Sequence, residues 1–95
     1  MITRIVKMTF IEDYTPNFVE IFDIAKEKIQ NSKGCIDVEL LEDKHNKNVF
    51  FTYSHWETEN DLNNYKDSKV CAEIWPKTTS LFLKDAEAWT TTKIN

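Results

Sequence analysis

The sequence has few of the residues that bend, crosslink or ligate: one glycine, two prolines, two cysteines and two histidines in 95 residues. A phosphate-binding loop needs several glycines to bring its backbone N–H groups close to an anion, so Gly34 alone cannot build one. The cysteines and histidines stand at unrelated spacings that match none of the usual ligand patterns, and no metal site is predicted. No Ser-His-Asp or Cys-His arrangement can be assigned either.

Positive charge is also scarce, since Arg4 is the only arginine and the formal net charge is -4. Proteins that bind nucleic acids cluster Lys and Arg on one face, so no nucleic-acid partner is predicted. No apolar run approaches the roughly 20 residues that span a membrane. Residues 1–10 alternate in polarity, whereas a secretory signal would be continuously apolar. Free Cys35 and Cys71 thiols in a reducing cytoplasm are therefore expected.

Aromatic residues are abundant, with three Trp, three Tyr and six Phe making up 13% of the chain. The length fits one domain over residues 1–95. A domain of this size buries only about two-thirds of the surface that its unfolded chain exposes. So many rings in a modest core indicate either dense packing or a contact surface.

Alternating polarity predicts four strands, over residues 2–10, 36–41, 49–56 and 86–94. The third strand, residues 49–56, carries large apolar side chains on both faces, which is expected when both faces of a strand are covered. The polar residues 43–48 before it predict a hairpin connection.

A helix is predicted to begin with Thr15 as N-cap and Pro16 at its first position, and to end before Gly34 as the left-handed C′ residue. Its apolar stripe has helical spacing and consists of Phe18, Ile21, Phe22, Ala25 and Ile29.

A second helical region is predicted after the third strand. Thr58 and Asp61 resemble a capping box, and Ser68 can cap a further helical piece. Apolar residues then recur at helical spacing as far as Phe82. Pro76 lies inside this pattern, lacks a backbone donor, and is expected to kink or divide the helix.

The order βαββαβ, with a broken second helix, predicts an α+β ferredoxin-like domain in which a four-stranded antiparallel sheet has helices on one face. No sequence remains to cover the other face of the sheet. We therefore expect a second copy to pack against it sheet to sheet, which gives a homodimer in the form of a dimeric α+β barrel.

One further pattern extends along nearly the whole chain and consists of residues 5–10 and 50–57, then Leu62, Tyr65, Ser68, Trp75, Lys77, Leu81, Phe82, Ala86, Ala88 and Trp89. This pattern resembles the antibiotic biosynthesis monooxygenase (ABM) family. The resemblance implies a dimeric barrel with a ligand pocket between helices and sheet in each subunit. Some members of the family oxidise quinols or polyketide aromatics with O₂ and without metal or flavin, others degrade haem, and others act on small signalling molecules.

The haem-degrading branch has an Asn on the first strand, a Trp at the end of the third and a haem-ligating His on the late helix. Trp56 matches the Trp. The Asn position falls at Val6 or Lys7, and the His position falls at Trp75, whose indole cannot ligate iron. These departures disfavour haem degradation.

The resemblance to the cofactor-independent oxygenases implies a tight apolar pocket with a polar group for a phenolate and O₂ as co-substrate. Trp56 matches the pocket Trp of that branch, and Thr52 stands where it has an Asn. The candidate pocket residues are Trp56, Thr52, Tyr65 and Trp75, and no catalytic residue is assigned. Trp56 is expected to be a core residue, and the alternative is that it turns its indole N–H into the pocket.

Arg4 and His55 are the remaining candidates. If Arg4 faces the helices with Val6 and Met8, its buried cation needs either an acidic partner or an anionic ligand. His55 neighbours Trp56 and so points to the opposite sheet face, which favours an interface histidine over a general base.

Three functions remain open on the sequence. The first is a cofactor-free monooxygenase acting on a small phenolic or quinol-type aromatic. The second is a sensor or carrier that binds a small aromatic without chemistry. The third is a domain whose aromatics only fill the core and the dimer interface, which predicts no cavity of roughly 300 Å³ or more.

Overall fold

A computed structural model describes all residues from 1 to 95. The elements in chain order are β1 (Ile2–Phe10), a 3-10 turn (Glu12–Tyr14), α1 (Thr15–Gln30), β2 (Cys35–Glu42), β3 (Val49–Trp56), α2 (Glu59–Lys66), α3 (Lys69–Thr79) and β4 (Phe82–Thr92). The strands form one antiparallel sheet in the order β2-β3-β1-β4. This is the predicted α+β ferredoxin-like fold with its second helix in two pieces. None of the helices has the length and apolar character needed to cross a membrane.

The core lies between one face of the sheet and the helices. Every second residue of β1 faces it, and Val6, Met8 and Phe10 are buried there. The Phe10 ring stacks on Phe18 of α1 at a centroid distance of 4.2 Å and meets Phe50 of β3 edge-on at 5.9 Å. The period-two pattern of the strands and the apolar stripe of α1 therefore meet in one hydrophobic cluster.

The second helix breaks at Asp67–Ser68. Ser68 caps α3 by accepting a hydrogen bond from the N–H of Cys71 at 3.2 Å. The expected division at Pro76 is wrong, because α3 continues through Pro76 to Thr79. The missing donor leaves only the carbonyl of Ala72 without its helical bond, and Ala72 is exposed to water.

The predicted cap at the start of α2 is confirmed in part. The Thr58 hydroxyl oxygen accepts the backbone N–H of Asp61 at 3.1 Å, but the Asp61 carboxylate accepts the Thr58 hydroxyl at 2.9 Å and not the Thr58 backbone N–H of a full capping box. The predicted cap of α1 is wrong, because Tyr14 holds the N-cap position and the Thr15 hydroxyl donates back to the carbonyl of Glu12. A 3-10 turn therefore leads into α1 where a capped start was expected.

The last strand begins at Phe82, four residues before the predicted start. The Leu81 N–H bonds to the carbonyl of Thr78 as α3 ends, and Phe82 then pairs with Phe10 of β1. The Phe82 ring lies 5.3 Å from Phe10 and 5.8 Å from Trp75. A buried apolar residue at this point fits a strand as well as a helix. The helical spacing therefore predicted helix as far as Phe82, although Phe82 belongs to β4.

Gly34 has a φ of 80°, the left-handed region, but it follows α1 by several residues and is not its C′ residue. Its carbonyl accepts the N–H of Glu57 at 2.8 Å, which ties the turn before β2 to the end of β3. A Cβ on Gly34 would collide with the side chain of Asp61, which takes part in the cap of α2.

We predict that Gly34→Ala lowers the free energy of unfolding by about 1–3 kcal/mol, because a non-glycine residue is strained in this region and the cap is displaced. Urea denaturation measures the change. Asn31→Ala is the control, since Asn31 is exposed with a φ of -82°, and it should shift stability by less than about 0.5 kcal/mol. Equal effects of the two variants would contradict the steric argument.

The second face of the sheet, here called the open face, has no helix over it. The strand register places Ile5 opposite Tyr53 on one side and Trp89 on the other. Phe51 and Leu41 continue this apolar area. Trp89 is 45% exposed, and charged side chains such as Lys7 and Glu39 lie between the apolar ones. An aromatic area of this kind in water is typical of a contact surface.

Candidate functional site

A cavity of about 270 Å³ lies between the helices and the core face of the sheet. Most of its lining is hydrophobic and comes from β1, β3 and all three helices, with Val38 added from β2. Ligand pockets usually have volumes of about 300–1,000 Å³, and an engineered cavity of about 150 Å³ is enough to bind benzene. At about 270 Å³ the cavity lies just below the roughly 300 Å³ that separates the binding alternatives from the core-filling one, and it can hold a ligand of one or two aromatic rings.

Alternation along β3 places its even-numbered residues in the cavity wall. Thr52, Ser54 and Trp56 line the cavity, and Trp56 pairs with Ile2 of β1 at one end of the register. The predicted candidates Tyr65, Trp75 and Arg4 line the same cavity, from α2, α3 and β1. The structure thus brings five of the six sequence candidates to one space.

The sixth candidate, His55, lies on the open face. Its Nδ1 is 2.6 Å from the Asp37 carboxylate of β2, and its ring stands edge-on to Tyr53 at 4.7 Å. His45 lies in the hairpin after β2, so neither histidine lines the cavity. A ligand in the cavity therefore meets no imidazole.

Trp56 is 1% exposed, and its indole N–H donates to the Ser54 hydroxyl oxygen at 3.0 Å. The donor is therefore already satisfied, and Trp56 offers a ligand its ring and not its N–H. The ring also lies 5.1 Å from Tyr65, tilted by 34°. Sequence reasoning missed Ser54, although its place between Thr52 and Trp56 on an alternating strand was the available signal.

Arg4 reaches the cavity without a counter-charge. The ion pairs in the structure are Lys28–Glu73 and His55–Asp37, and neither involves Arg4. Of the two alternatives that the sequence left open for Arg4, the structure shows no acidic partner, and an anionic ligand stays a prediction. Burial lowers the pKa of the guanidinium, while the neighbouring Tyr65 and Cys71 oppose that shift.

Tyr65 and Cys71 are the titratable groups that interact electrostatically with Arg4. Burial, with a smaller contribution from Cys71, raises the pKa of the Tyr65 phenol well above its ordinary value, so that the phenol stays protonated at neutral pH. The sequence predicted Cys71 only as a free thiol and gave it no place in the pocket. Cys35 lies outside the cavity, and burial together with Asp37 raises the pKa of its thiol to about 11.

Trp75 and Lys66 mark the side of the cavity nearest to water. Trp75 is 38% exposed although it lines the cavity, and Lys66 is exposed at the end of α2. Lys66 is next to the break at Asp67–Ser68, whereas Trp75 lies about two turns further along α3. The water-facing side of the cavity therefore extends from the end of α2 along α3.

Comparison with known proteins places this geometry in a familiar fold. A protein of Nitrosomonas europaea described as an antibiotic biosynthesis monooxygenase is similar over 100% of both chains, with a TM-score of 0.92 and 16% identity. A conserved protein of Methanosarcina mazei Go1 is similar over 98% of this chain and 93% of its own, with a TM-score of 0.91 and 21% identity. A further antibiotic biosynthesis monooxygenase structure, from Deinococcus radiodurans, has a TM-score of 0.90 and 10% identity and covers 100% of this chain and 94% of its own.

Identities this low show the fold alone, and no curated protein matches the chain at a significant level. The sequence itself carries a stronger signal. The profile of the antibiotic biosynthesis monooxygenase family matches residues 1–75, which include the five strands and helices from β1 to α2 and most of α3. The chain therefore belongs to the antibiotic biosynthesis monooxygenase family.

Proposed function

We propose that the protein is a cofactor-independent monooxygenase that oxidises a small phenol or quinol with O₂. The observation that carries the proposal is the hydrophobic cavity of about 270 Å³, walled by Trp56, Tyr65 and Trp75, in a chain of this family. The reaction uses no flavin, haem or metal, because the electron-rich substrate itself reduces O₂.

The chemistry needs a deprotonated substrate in a dry site. The phenolate gives one electron to O₂, which forms a phenoxyl radical and superoxide. The two radicals combine at a ring carbon that bears hydrogen. After protonation, the hydroperoxide loses water to leave a quinone, so one oxygen atom enters the product and the other leaves as water. Exclusion of bulk water protects the radical pair from side reactions.

The residues of the cavity bind the substrate and exclude bulk water. The Trp56 and Tyr65 rings, with centroids 5.1 Å apart and planes tilted by 34°, supply an aromatic wall against which an aromatic substrate packs. Thr52 offers a hydroxyl at the position where related oxygenases have an amide. No histidine lines the cavity, which further disfavours haem degradation.

Oxygen uptake with a panel of hydroquinones tests the proposal, and uptake no faster than autoxidation would refute it. We predict that Trp56→Phe lowers kcat by at least about tenfold, since the smaller ring leaves substrate loosely oriented, and such misplacement can cost about 100-fold. Circular dichroism should show a folded protein. Ile24→Val is the control, because Ile24 is 67% exposed on α1 and lies neither in the cavity nor on the open face, and its uptake should equal that of the wild type.

Non-catalytic binding is a second candidate function, and one observation favours it. No Asp, Glu or His lines the cavity, so no ordinary general base stands beside a bound phenol. A sensor or carrier would bind the same aromatic and release it unchanged. Recovery of an intact hydroquinone from an aerobic incubation, with saturable binding, would support this function over the oxygenase.

We also propose that the working unit is a homodimer formed through the open face. The exposed Trp89, with Ile5, Phe51 and Tyr53 beside it, forms an area that a second copy would cover sheet to sheet. The family resemblance supports the same arrangement. The two free thiols accord with the proposed cytoplasmic location.

A further inference from the structure

The charge of the cavity is opposite to that of the protein. The chain has sixteen acidic residues against twelve basic ones. None of the acidic side chains lines the cavity, whereas Arg4 and Lys66 do. A positive cavity in a negatively charged protein attracts and retains an anion, and it offers nothing to a cationic ligand.

The Arg4 guanidinium has no means of losing its charge. Arginine stays protonated in proteins. The free-energy cost of burying its charge therefore cannot be avoided by loss of a proton, as it can for lysine. No carboxylate pairs with it, and its neighbour Tyr65 is neutral at physiological pH. A partly buried, unpaired cation is costly, and a negatively charged oxygen on a ligand would remove that cost.

Ser54 adds a second donor at the same place. Arg4 and Ser54 are direct partners in the register of β1 and β3, so their Cβ atoms lie about 4.5–5.5 Å apart on one face. The Ser54 oxygen accepts the indole N–H of Trp56, which leaves its own hydrogen free for a ligand. The Tyr65 hydroxyl stands near Arg4 on the facing helix.

We infer that the ligand is an aromatic anion whose charged oxygen, a carboxylate or a phenolate, binds Arg4, with hydrogen bonds from Ser54 and Tyr65. This inference rests on the proposed function for the location of the ligand, but it concerns what binds and not whether it is oxidised. The planar, forked guanidinium matches a carboxylate with two parallel hydrogen bonds, and a phenolate takes one.

The test compares 2-naphthoate with 2-naphthamide by calorimetry under nitrogen. The two probes have nearly the same shape and differ in charge. The acid is expected to bind the wild type at least about tenfold more tightly, as for a charge-assisted hydrogen bond. Arg4→Met should abolish this preference, and Arg4→Lys should keep part of it, because lysine keeps the charge but not the fork. Lys26→Met, on the exposed side of α1, is the control with the same loss of charge and should keep the whole preference.

A second arm separates the two sources of the charged oxygen. 4-Nitrophenol is bound below its free pKa, and its absorption spectrum shows whether it is held as phenolate. If the wild type binds 4-nitrophenol as the phenolate and Arg4→Met binds it as the neutral phenol, then Arg4 holds the oxygen that reacts. If the wild type binds 4-nitrophenol as the neutral phenol but still prefers 2-naphthoate, then Arg4 holds a separate carboxylate group of the ligand.

Equal binding of acid and amide to the wild type, with the phenol held neutral, overturns the inference. Preference for the acid that survives Arg4→Met overturns the role of Arg4. If Arg4→Met does not fold, the preference for acid over amide is compared between the wild type, Arg4→Lys and Lys26→Met. A partial loss in Arg4→Lys alone then supports the role of Arg4, and no loss contradicts it. Because no turnover is measured, failure of oxygen uptake would refute the oxygenase and leave this result untouched.

Discussion

Replacement of Trp56 by alanine is expected to lower the free energy of unfolding by about 3–5 kcal/mol, the range for truncating a buried aromatic residue. Trp56 is 1% exposed, packs against Tyr65 at 5.1 Å and donates its indole N–H to Ser54. All three contributions disappear together and leave a hole beside an existing cavity. Urea denaturation at one fixed protein concentration measures the change, since unfolding of a dimer depends on concentration.

Trp75→Ala is the matched control for this substitution. Trp75 lines the same cavity but is 38% exposed, so its truncation should cost about 1 kcal/mol, an average value for a single substitution. Equal losses for the two variants would contradict the distinction between a core residue and one at the cavity entrance.

Phe51→Asp is expected to turn the proposed homodimer into monomers. Phe51 lies on the open face of β3 beside Tyr53 and Leu41. A carboxylate there would be buried without a partner when two sheets meet, and the aromatic contact would be lost. The dissociation constant should rise by at least about 30-fold, the effect of losing an interface hot spot. Sedimentation velocity over a concentration series measures it.

Ile24→Asp provides the control for the dimer experiment. Ile24 is 67% exposed on α1, on the side of the protein away from the open face. The same change of an apolar residue to a charge should leave the dimer intact there. A wild type that sediments as a monomer at micromolar concentration, or monomers from both variants, would refute the proposed interface.

The sequence predicted the sheet well because strand periodicity and burial agree. On β1, alternation separated Val6 and Met8 from Ile5 and Lys7, and the structure places the two sets on opposite faces. The errors fall where a tertiary contact overrides a local pattern. Phe82 has helical spacing from α3, but pairing with β1 draws it into the sheet.

The cavity could be foreseen only in part. Large residues such as Trp56 and Tyr65 stand out in a sequence, whereas Ser54 and Cys71 are ordinary there and acquire a role only through register and helix packing. The lack of an acidic partner for Arg4 was beyond sequence reasoning as well. Any of sixteen carboxylates could have been near it, and only the folded chain shows that none is paired with it.

The break at Asp67–Ser68 has a thermodynamic consequence. It leaves α2 with 8 residues and α3 with 11, and helices shorter than about 12–15 residues are marginal by themselves in water. Packing against the neighbouring core stabilises both helices. They can therefore unfold locally at a free energy below that of global unfolding. Exchange of molecules with the interior can thus proceed while the four strands keep every hydrogen bond between them.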